Sequence, residues 1–376
     1  RIDPSPASRA STDGVARAAA AIDRAERPVL VVSEHGNRPA ASRAITAFAD
    51  TTGIGVLTTQ MGIGAIPHDH PCAIGTLGIH RPDHSHLGLV DADLVVAVGY
   101  DPVEHPPLAW NDGDRDVVHV APWPANVERG YRPMLDLVGS IDATLDALAS
   151  EVTPRSSDDP QRRARIVRDL LAAESDPDRD GSEAPTPLDI VRVLQQTLDD
   201  FDTVALDNGV YKVWFARHWQ ASHPQTLLLD NGLATMGAGL ATAMMAAAHR
   251  PDQRTVAVCG DGGVLMNMQD LGAARQLGID LTVLVVRDDE FGFIAWHQDE
   301  DDLPRANVAL DNPDFMALAA AFGATSARVA TTDELAAELD RSRTQRGLHL
   351  IECPIDYSTN DLLDQGVDEA VEQFGS

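Results

Sequence analysis

The chain has 376 residues, enough for about two domains of ordinary size, and 44% of them are hydrophobic, which supports buried cores. Asp and Glu number 58 against 29 Lys and Arg, and the resulting formal net charge of −29 argues against nucleic acid or an anionic membrane as a partner. No apolar run is long enough to span a membrane and the first residues are polar, so we expect a cytoplasmic chain.

The first part of the chain alternates helical periodicity with short apolar runs. Residues 1–11, rich in Pro and Ser, are predicted to be a linker. Helices are predicted at 12–24, 38–49 and 141–148, and strands at 28–33, 55–59, 92–99, 117–120 and 135–138. The Gly- and His-rich stretch 61–86 is predicted to be a solvated loop or an interface; a zinc site is the less favoured alternative because its histidines are irregularly spaced. The alternation predicts a doubly wound α/β domain over residues 12–150.

The composition becomes polar and charged from residue 151 to residue 185, which predicts an exposed connection containing one helix at 161–173. A second doubly wound domain is predicted over 186–376. Its helices are expected at 188–198, 212–219, 234–249, 264–277, 315–322 and 332–342, and its strands at 203–206, 226–229, 254–259, 281–286, around 326 and at 348–353. The three cysteines, Cys72, Cys259 and Cys353, are far apart in apolar surroundings and are predicted to be reduced core thiols.

The most informative stretch runs from Gly260 to Glu290. An apolar strand ends in Gly-Asp-Gly-Gly, a helix follows, and a second strand ends just before Asp288, 27 residues after Asp261. In a parallel sheet both carboxylates lie at the ligand-binding edge. Two carboxylates beside the amides of a Gly-rich turn suit a divalent cation that carries a diphosphate. An ordinary strand-to-helix turn is the alternative for the Gly-Asp-Gly motif alone.

This unit resembles the diphosphate-binding domain of thiamine-diphosphate-dependent enzymes, and the surrounding residues are similar to acetolactate synthases. The further motifs are Asp207-Asn-Gly-Val-Tyr211, Gly232-Leu-Ala-Thr-Met-Gly-Ala-Gly239 and Pro354-Ile-Asp-Tyr-Ser-Thr-Asn360. In the first domain, Val98-Gly-Tyr-Asp-Pro-Val-Glu-His105 with Trp110-Asn111 resembles the catabolic branch, which needs no FAD. The resemblance implies two doubly wound parallel-sheet domains, a central one and a diphosphate-binding one.

The resemblance also implies the roles of individual residues. Asp261 and Asp288 are expected to bind Mg²⁺ through their side chains, and Glu290 through its backbone carbonyl. Thiamine diphosphate is expected at a set of residues contributed by three segments: Gly209, Val210, Tyr211, Met236, Gly260, Gly262 and Gly263.

Three side chains are expected near the reacting atoms: Met236 beneath the bent cofactor, and Phe293 and His297 on the substrate side. Each has a simpler interpretation: Met236 and Phe293 as packing residues, and His297 as a surface or hydrogen-bonded histidine. Relatives tend to carry Gln at the position of His297, which affects the expected acceptor substrate. Many carry Asn at the position of Arg287.

The family has a further pyrimidine-binding domain, whose glutamate acts on the cofactor, and no such glutamate can be named in these 376 residues. The sequence therefore predicts a subunit of a split carboligase, completed by a separate pyrimidine-domain chain, with a homodimer of this chain inside a heterotetramer. The expected reaction is decarboxylation of a 2-oxo acid such as pyruvate and transfer of the acyl unit to a second carbonyl. A fragment of a three-domain synthase and a non-catalytic assembly subunit are the alternatives. A dehydrogenase is disfavoured because no Gly-x-Gly-x-x-Gly follows the first strand of either domain.

Overall fold

The structure, a computed structural model, describes residues 8–78, 82–111, 115–174, 181, 183–364 and 366–375. The first seven residues of the predicted linker, His80 of the His-rich stretch, and residues 175–180 and 182 of the predicted connection lie outside that range. The described residues form two compact units. The first unit comprises those within Arg1–Glu174, Gln220–Gln225 and Leu362–Ser376, and the second unit those within Ser175–Trp219 and Thr226–Asp361.

Each unit contains one six-stranded sheet in which every pair of neighbours is parallel. The strands of the first sheet are β1 (Pro28–Val32), β2 (Gly55–Thr58), β3 (Ala73–Thr76), β4 (Leu94–Val98), β5 (Asp116–Ala121) and β6 (Leu135–Val138). Those of the second are β7 (Thr203–Leu206), β8 (Leu227–Leu228), β9 (Thr255–Gly260), β10 (Leu281–Arg287), β11 (Thr325–Arg328) and β12 (Leu348–Pro354). The orders are β3-β2-β1-β4-β5-β6 and β11-β12-β10-β9-β7-β8. The predicted fold class, two doubly wound parallel-sheet domains, is confirmed.

Helices connect the strands in both units. The first unit contains α1 (Thr12–Arg24), α2 (Pro39–Thr52), α3 (Ile141–Glu151) and α4 (Asp159–Ala173). The second contains α5 (Pro187–Thr197), α6 (Val210–His218), α7 (Ala238–His249), α8 (Asp261–Asn267), α9 (Asp270–Leu277), α10 (Gly292–Glu300), α11 (Phe315–Ala321) and α12 (Thr332–Ser342). The last helix, α13 (Val367–Gly375), returns to the first unit. Among the described residues, no helix combines the length and apolar composition needed to cross a bilayer.

The first sheet is covered on both faces, which explains why its two central strands, β1 and β4, are apolar at every position. Leu30 and Val32 face a core that includes residues of α1, α2 and α3, whereas Val29 and Val31 face a second core that includes residues of α4. All three cysteines are buried and free, as predicted.

The units differ from the predicted boundaries at two places. We predicted that residues 151–185 form an exposed connection, but α4 buries Ala164, Val167 and Leu170 against the first sheet. We assigned the C-terminus to the second domain, but the ring of Phe374 packs against the same core and lies under the guanidinium of Arg163 at 4.2 Å. Neither contact has a signal in the local sequence, because each joins segments that are distant along the chain.

This packing predicts that Phe374→Ala lowers the free energy of unfolding of the first unit by about 2 kcal/mol, through lost burial and a lost cation–π contact. Differential scanning calorimetry measures the change. Val371→Ala, on an exposed part of the same helix, is the matched control and is expected to change stability by less than about 0.5 kcal/mol. Equal effects of the two substitutions would show that α13 does not stabilise the core.

Candidate functional site

Three carboxylates meet at one edge of the second sheet. The strand order reverses between β7 and β9, and doubly wound folds bind ligands outside the carboxyl ends of the strands at such a switch point. Asp207 follows β7 and Asp261 follows β9. Asp288 follows β10, which pairs with β9 in a register that sets Val286 beside Gly260. The topology therefore brings together residues that are up to 81 positions apart in the chain.

Asp261 is buried at the first position of α8 and is held by three donors. Its Oδ1 accepts the N–H of Gly262 at 2.8 Å. Its Oδ2 accepts the N–H of Asp289 at 2.9 Å and the side-chain amide of Asn312 at 2.7 Å. Burial raises the pKa of Asp261, and these donors act in the opposite direction. The carboxylate is thus fixed in orientation by its surroundings.

Asp288 lies close enough to Asp261 for the two carboxylates to repel each other. Burial and, second, the charge of Asp261 raise the pKa of Asp288 to about 7. The arginines nearest in sequence are committed elsewhere: Arg287 binds Asp289 and Glu352, each at 2.7 Å, and Arg305 binds Asp299 and Glu290. Two like charges, one buried and one half-buried, are a costly arrangement, and a divalent cation bound by their oxygens would offset that cost.

The loop after β10 has a strained backbone conformation that orients a donor towards Asp261. Asp289 has a positive φ of 58°, which is unusual for a residue with a side chain. The turn points the N–H of Asp289 back at Asp261, and Arg287 and Asn312 hold its carboxylate at 2.7 and 2.8 Å. Strain of this kind persists where surrounding contacts determine it, commonly at functional sites.

Sequence reasoning did not identify Asn312. It reaches Asp261 because the chain folds back beside the loop: Phe291 donates to Val308 at 2.8 Å, and Leu310 donates to Asp289 at 2.7 Å. Asn312 lies 51 positions after Asp261, and no motif or spacing connects the two.

Asp207, part of the Asp207–Tyr211 motif, joins three segments of the site. Its carboxylate accepts the N–H of Asn208 and that of Gly237, each at 2.8 Å, and the N–H of Gly239. A Cβ on Gly263 would lie 2.3 Å from Asp207 Oδ2, so this position in the first turn of α8 accepts only glycine. Asp207 therefore ties β7 to the segment before α7 and to the first turn of α8.

Lys212, the single lysine of the chain, was not predicted as a site residue. It is buried on α6, and its Nζ donates to the side chains of Asn208 and Asn231 and to the carbonyl of Asp230. Burial lowers its pKa to about 8. The side chain fastens the turn after β7 to the turn after β8.

The backbone amides predicted to hold a diphosphate fall into two groups. Three of them already have acceptors within the chain. The N–H of Gly260 donates to the Tyr211 hydroxyl at 3.0 Å, and that of Gly262 donates to Asp261 Oδ1. The N–H of Tyr211 donates to the Tyr357 hydroxyl. The amides of Val210 and Gly263 lie in the first turns of α6 and α8, where an N–H has no acceptor within the helix. Gly209 precedes α6 in an extended conformation.

Met236 is half-buried in the segment before α7, between Ala234 and Gly237, both with positive φ. Gly237 donates to Asp207, and its carbonyl accepts the amide of Asn267 at 2.7 Å. These bonds fix the backbone next to Met236 at the same edge of the sheet as Asp207.

Phe293 and His297 lie one turn apart on α10, with ring centroids at 4.8 Å. Phe293 is 38% exposed, and His297 is also exposed and contacts Glu300 Oε2 through Nδ1 at 3.1 Å. The helix begins four residues after Asp288, where a Cβ on Gly292 would lie 2.4 Å from Asp288 Oδ2. The two rings thus stand on an open surface, and their catalytic role stays a prediction.

Glu290 donates its N–H to Asp288 Oδ1 at 3.3 Å, while its own carboxylate binds Arg305 at 2.9 Å. Within the described part of the chain, no three His, Cys, Asp or Glu side chains form a metal-binding group. The predicted Mg²⁺ set needs only two side chains, since its third ligand is a backbone carbonyl, so the described residues fit such an ion.

Residues 207–353 match the family model of the C-terminal TPP binding domain of thiamine pyrophosphate enzymes, and residues 15–148 match that of the central domain of the same enzymes. The chain belongs to the thiamine pyrophosphate enzymes. The matched TPP binding domain contains all three carboxylates of the sheet edge. The resemblance inferred from the Gly260–Glu290 motif is confirmed.

Within the thiamine pyrophosphate enzymes, the chain is similar to acetolactate synthases. It is 31% identical to acetolactate synthase of Bacillus subtilis over 97% of this chain and 65% of that protein. It is 31% identical to the catabolic acetolactate synthase of Raoultella terrigena over 95% of this chain and 66% of that protein. The large subunit of Escherichia coli acetolactate synthase isozyme 2 is 28% identical over 90% and 61%. The chain thus spans 61–66% of the length of these relatives, less than two thirds.

The contact between Gly263 and Asp207 predicts that Gly263→Ala lowers the free energy of unfolding by about 2 kcal/mol or more, because a methyl group would displace a buried, hydrogen-bonded carboxylate. Urea unfolding followed by circular dichroism measures the loss. Gly272→Ala is the matched control: its Cβ would lie 3.8 Å from the nearest atom, and alanine favours the helix by up to about 1 kcal/mol. A stability loss at Gly272 as large as that at Gly263 would contradict the assignment.

Proposed function

We propose that this chain binds Mg²⁺ and thiamine diphosphate in its second unit, as a subunit of an acetolactate synthase-like carboligase. The observation that supports this most strongly is the pair of a buried Asp261 and a half-buried Asp288 at the ends of neighbouring strands, within the residues that match the TPP binding domain. Oxygen ligands with unbalanced negative charge suit a hard divalent cation, and the cation brings a diphosphate to the same edge.

In this proposal Asp261 and Asp288 bind Mg²⁺ through their carboxylates, and Glu290 through its carbonyl. The amides of Val210 and Gly263 face the diphosphate, because they lie in first turns of helices. Asp207 and Asn312 touch neither group but hold the segments that carry those residues. Met236 supports the cofactor from the segment anchored at Gly237.

When bound, thiamine diphosphate supplies the electron sink that a 2-oxo acid such as pyruvate needs in order to lose CO₂. The acyl unit is then transferred to a second carbonyl compound. Phe293 and His297 contribute an aromatic surface and a titratable ring on the substrate side, next to the metal ligands in sequence. The similarity to two acetolactate synthases at 31% identity supports this reaction type.

We propose further that a separate chain with a pyrimidine-binding domain supplies the glutamate that activates the cofactor, and that two copies of this chain form the centre of a heterotetramer. Glu290, the glutamate beside the acid pair, has its carboxylate bound by Arg305. Two alternatives remain testable: the pyrimidine domain belongs to the same, longer polypeptide, or the chain is a non-catalytic assembly subunit.

The metal site predicts that Asp261→Asn and Asp288→Asn each weaken binding of Mg²⁺-thiamine diphosphate by roughly 100-fold, since even indirect contacts to a metal are worth about 10-fold or more. Isothermal titration calorimetry measures this. Asp288→Asn should also have a higher metal-free melting temperature, because its repulsion by the charge of Asp261 is removed. Glu290→Gln is the matched control and should leave affinity within about threefold, since its proposed ligand is the backbone carbonyl. Unchanged affinity in both aspartate variants would refute the site.

The split arrangement predicts that the purified chain, with Mg²⁺ and thiamine diphosphate, does not release CO₂ from pyruvate, and that a pyrimidine-domain chain encoded nearby restores turnover. A coupled acetolactate assay on the separate and mixed proteins tests this. Full activity of the chain alone would exclude a separate subunit. Undiminished activity of the mixture containing Asp261→Ala would favour the assembly role, and the coding sequence before Arg1 would reveal a longer polypeptide.

A further inference from the structure

The sheet of the first unit also has an edge of the kind at which doubly wound folds bind ligands. Its strand order reverses between β1 and β4, and the carboxyl ends of the strands at such a reversal are where doubly wound folds bind the phosphates of nucleotides. Beside this point, four donors converge from the ends of β1 and β2. They are the hydroxyls of Ser33 and Thr59 and the backbone N–H groups of Glu34 and Met61.

The carboxylate of Glu104 occupies the centre of these donors. Its Oε2 accepts the Ser33 hydroxyl and the N–H of Glu34 at 3.3 Å. Its Oε1 accepts the Thr59 hydroxyl and the N–H of Met61 at 2.8 Å. The side chain is 4% exposed. Burial raises the pKa of Glu104, and all four donors oppose that shift. The surroundings are therefore built around a pair of negatively charged oxygens.

The donor set has the composition of an oxyanion site. Converging amides at the ends of strands, together with hydroxyls, are how proteins bind a phosphate or a carboxylate of a ligand. Here the anion comes from the chain itself, from a loop that begins 66 positions after Ser33. Ser33 and Thr59 each immediately follow a strand, so two of the donors are set by the sheet.

The loop that presents Glu104 is anchored separately from the donors. Gly99 begins it with a positive φ of 61°. The Tyr100 hydroxyl donates to the carbonyl of His105 and accepts the indole N–H of Trp110 at 3.1 Å. The rings of Tyr100, Trp110 and Tyr131 pack together with centroids 4.8–6.1 Å apart. This cluster holds the loop over the sheet edge without using the Glu104 carboxylate.

We infer that Glu104 is a built-in ligand: its carboxylate fills an oxyanion site at the edge of the first sheet, in the place of an external phosphate or carboxylate. The site is closed to a nucleotide in the native chain. Removal of the side chain beyond Cβ leaves the four donors in position and opens a site for a small oxyanion. The inference concerns the first unit alone and does not depend on the proposed function of the second.

The test is chemical rescue of Glu104→Ala in the full chain. The variant is expected to lose about 5 °C or more in melting temperature, because four buried donors lose their acceptor. Sodium formate is expected to restore a large part of that loss in a saturable manner, and inorganic phosphate probes whether the site admits a larger anion. Sodium chloride at matched ionic strength should restore little.

Two further variants make the outcome decisive. Glu34→Ala removes an exposed acid beside the site without touching the Glu104 carboxylate, and should respond to formate as the native chain does. Glu104→Gln keeps the side-chain volume but turns one acceptor into a donor, so this variant should be destabilised and should not be rescued by formate. If Glu104→Ala does not fold, the stability of Glu104→Gln still tests the inference. Equal responses to formate in Glu104→Ala, Glu34→Ala and the native chain would overturn the inference. So would native stability of Glu104→Gln.

Discussion

Repulsion between the buried carboxylate of Asp261 and the half-buried carboxylate of Asp288 is the constraint around which the second unit is arranged. Asp261 and Asp288 are brought together because β9 and β10 are parallel neighbours that end at the same edge. The fold stabilises the arrangement with neutral donors and not with a side-chain cation: Asn312 and two backbone N–H groups bind Asp261, while Arg287 and Arg305 bind other acids. Neutral donors orient a carboxylate without cancelling its charge, so its attraction for a metal ion is retained.

The sheets of the two units have similar topology, but the groups at their carboxyl edges have opposite electrostatic character. At the edge of the second sheet there is an excess of negative charge, from three carboxylates, that a cation would balance. At the edge of the first sheet there is an excess of hydrogen-bond donors, which the carboxylate of Glu104 satisfies internally. One edge is thus prepared for an external ligand, and the other is completed by the chain itself. The fold sets where a ligand can bind, and the side chains decide whether one is needed.

The site depends on residues that contact neither the proposed metal nor the diphosphate. Asp207 holds Gly237 and leaves room only for glycine at position 263, while Lys212 joins two neighbouring turns. These groups fix the backbone from which the amides and carboxylates project. These residues position the binding groups without contacting the ligand. Their contacts explain why a Gly-rich turn, which alone predicts a binding site only weakly, forms a defined site in the folded chain.

The sequence by itself determined the local elements and the family. Strands β1, β4, β9 and β10 were predicted because both faces of each are buried, which leaves a mostly apolar run. Asp261 and Asp288 were identified because each follows the end of such a strand. Only the tertiary structure decided the rest. The short edge strand β3, with a glycine among its four residues, has no such run, and the contact of α13 with α4 joins distant segments. Asn312 and Glu104 owe their roles to partners at least 23 positions away, and no local pattern encodes a contact at that distance.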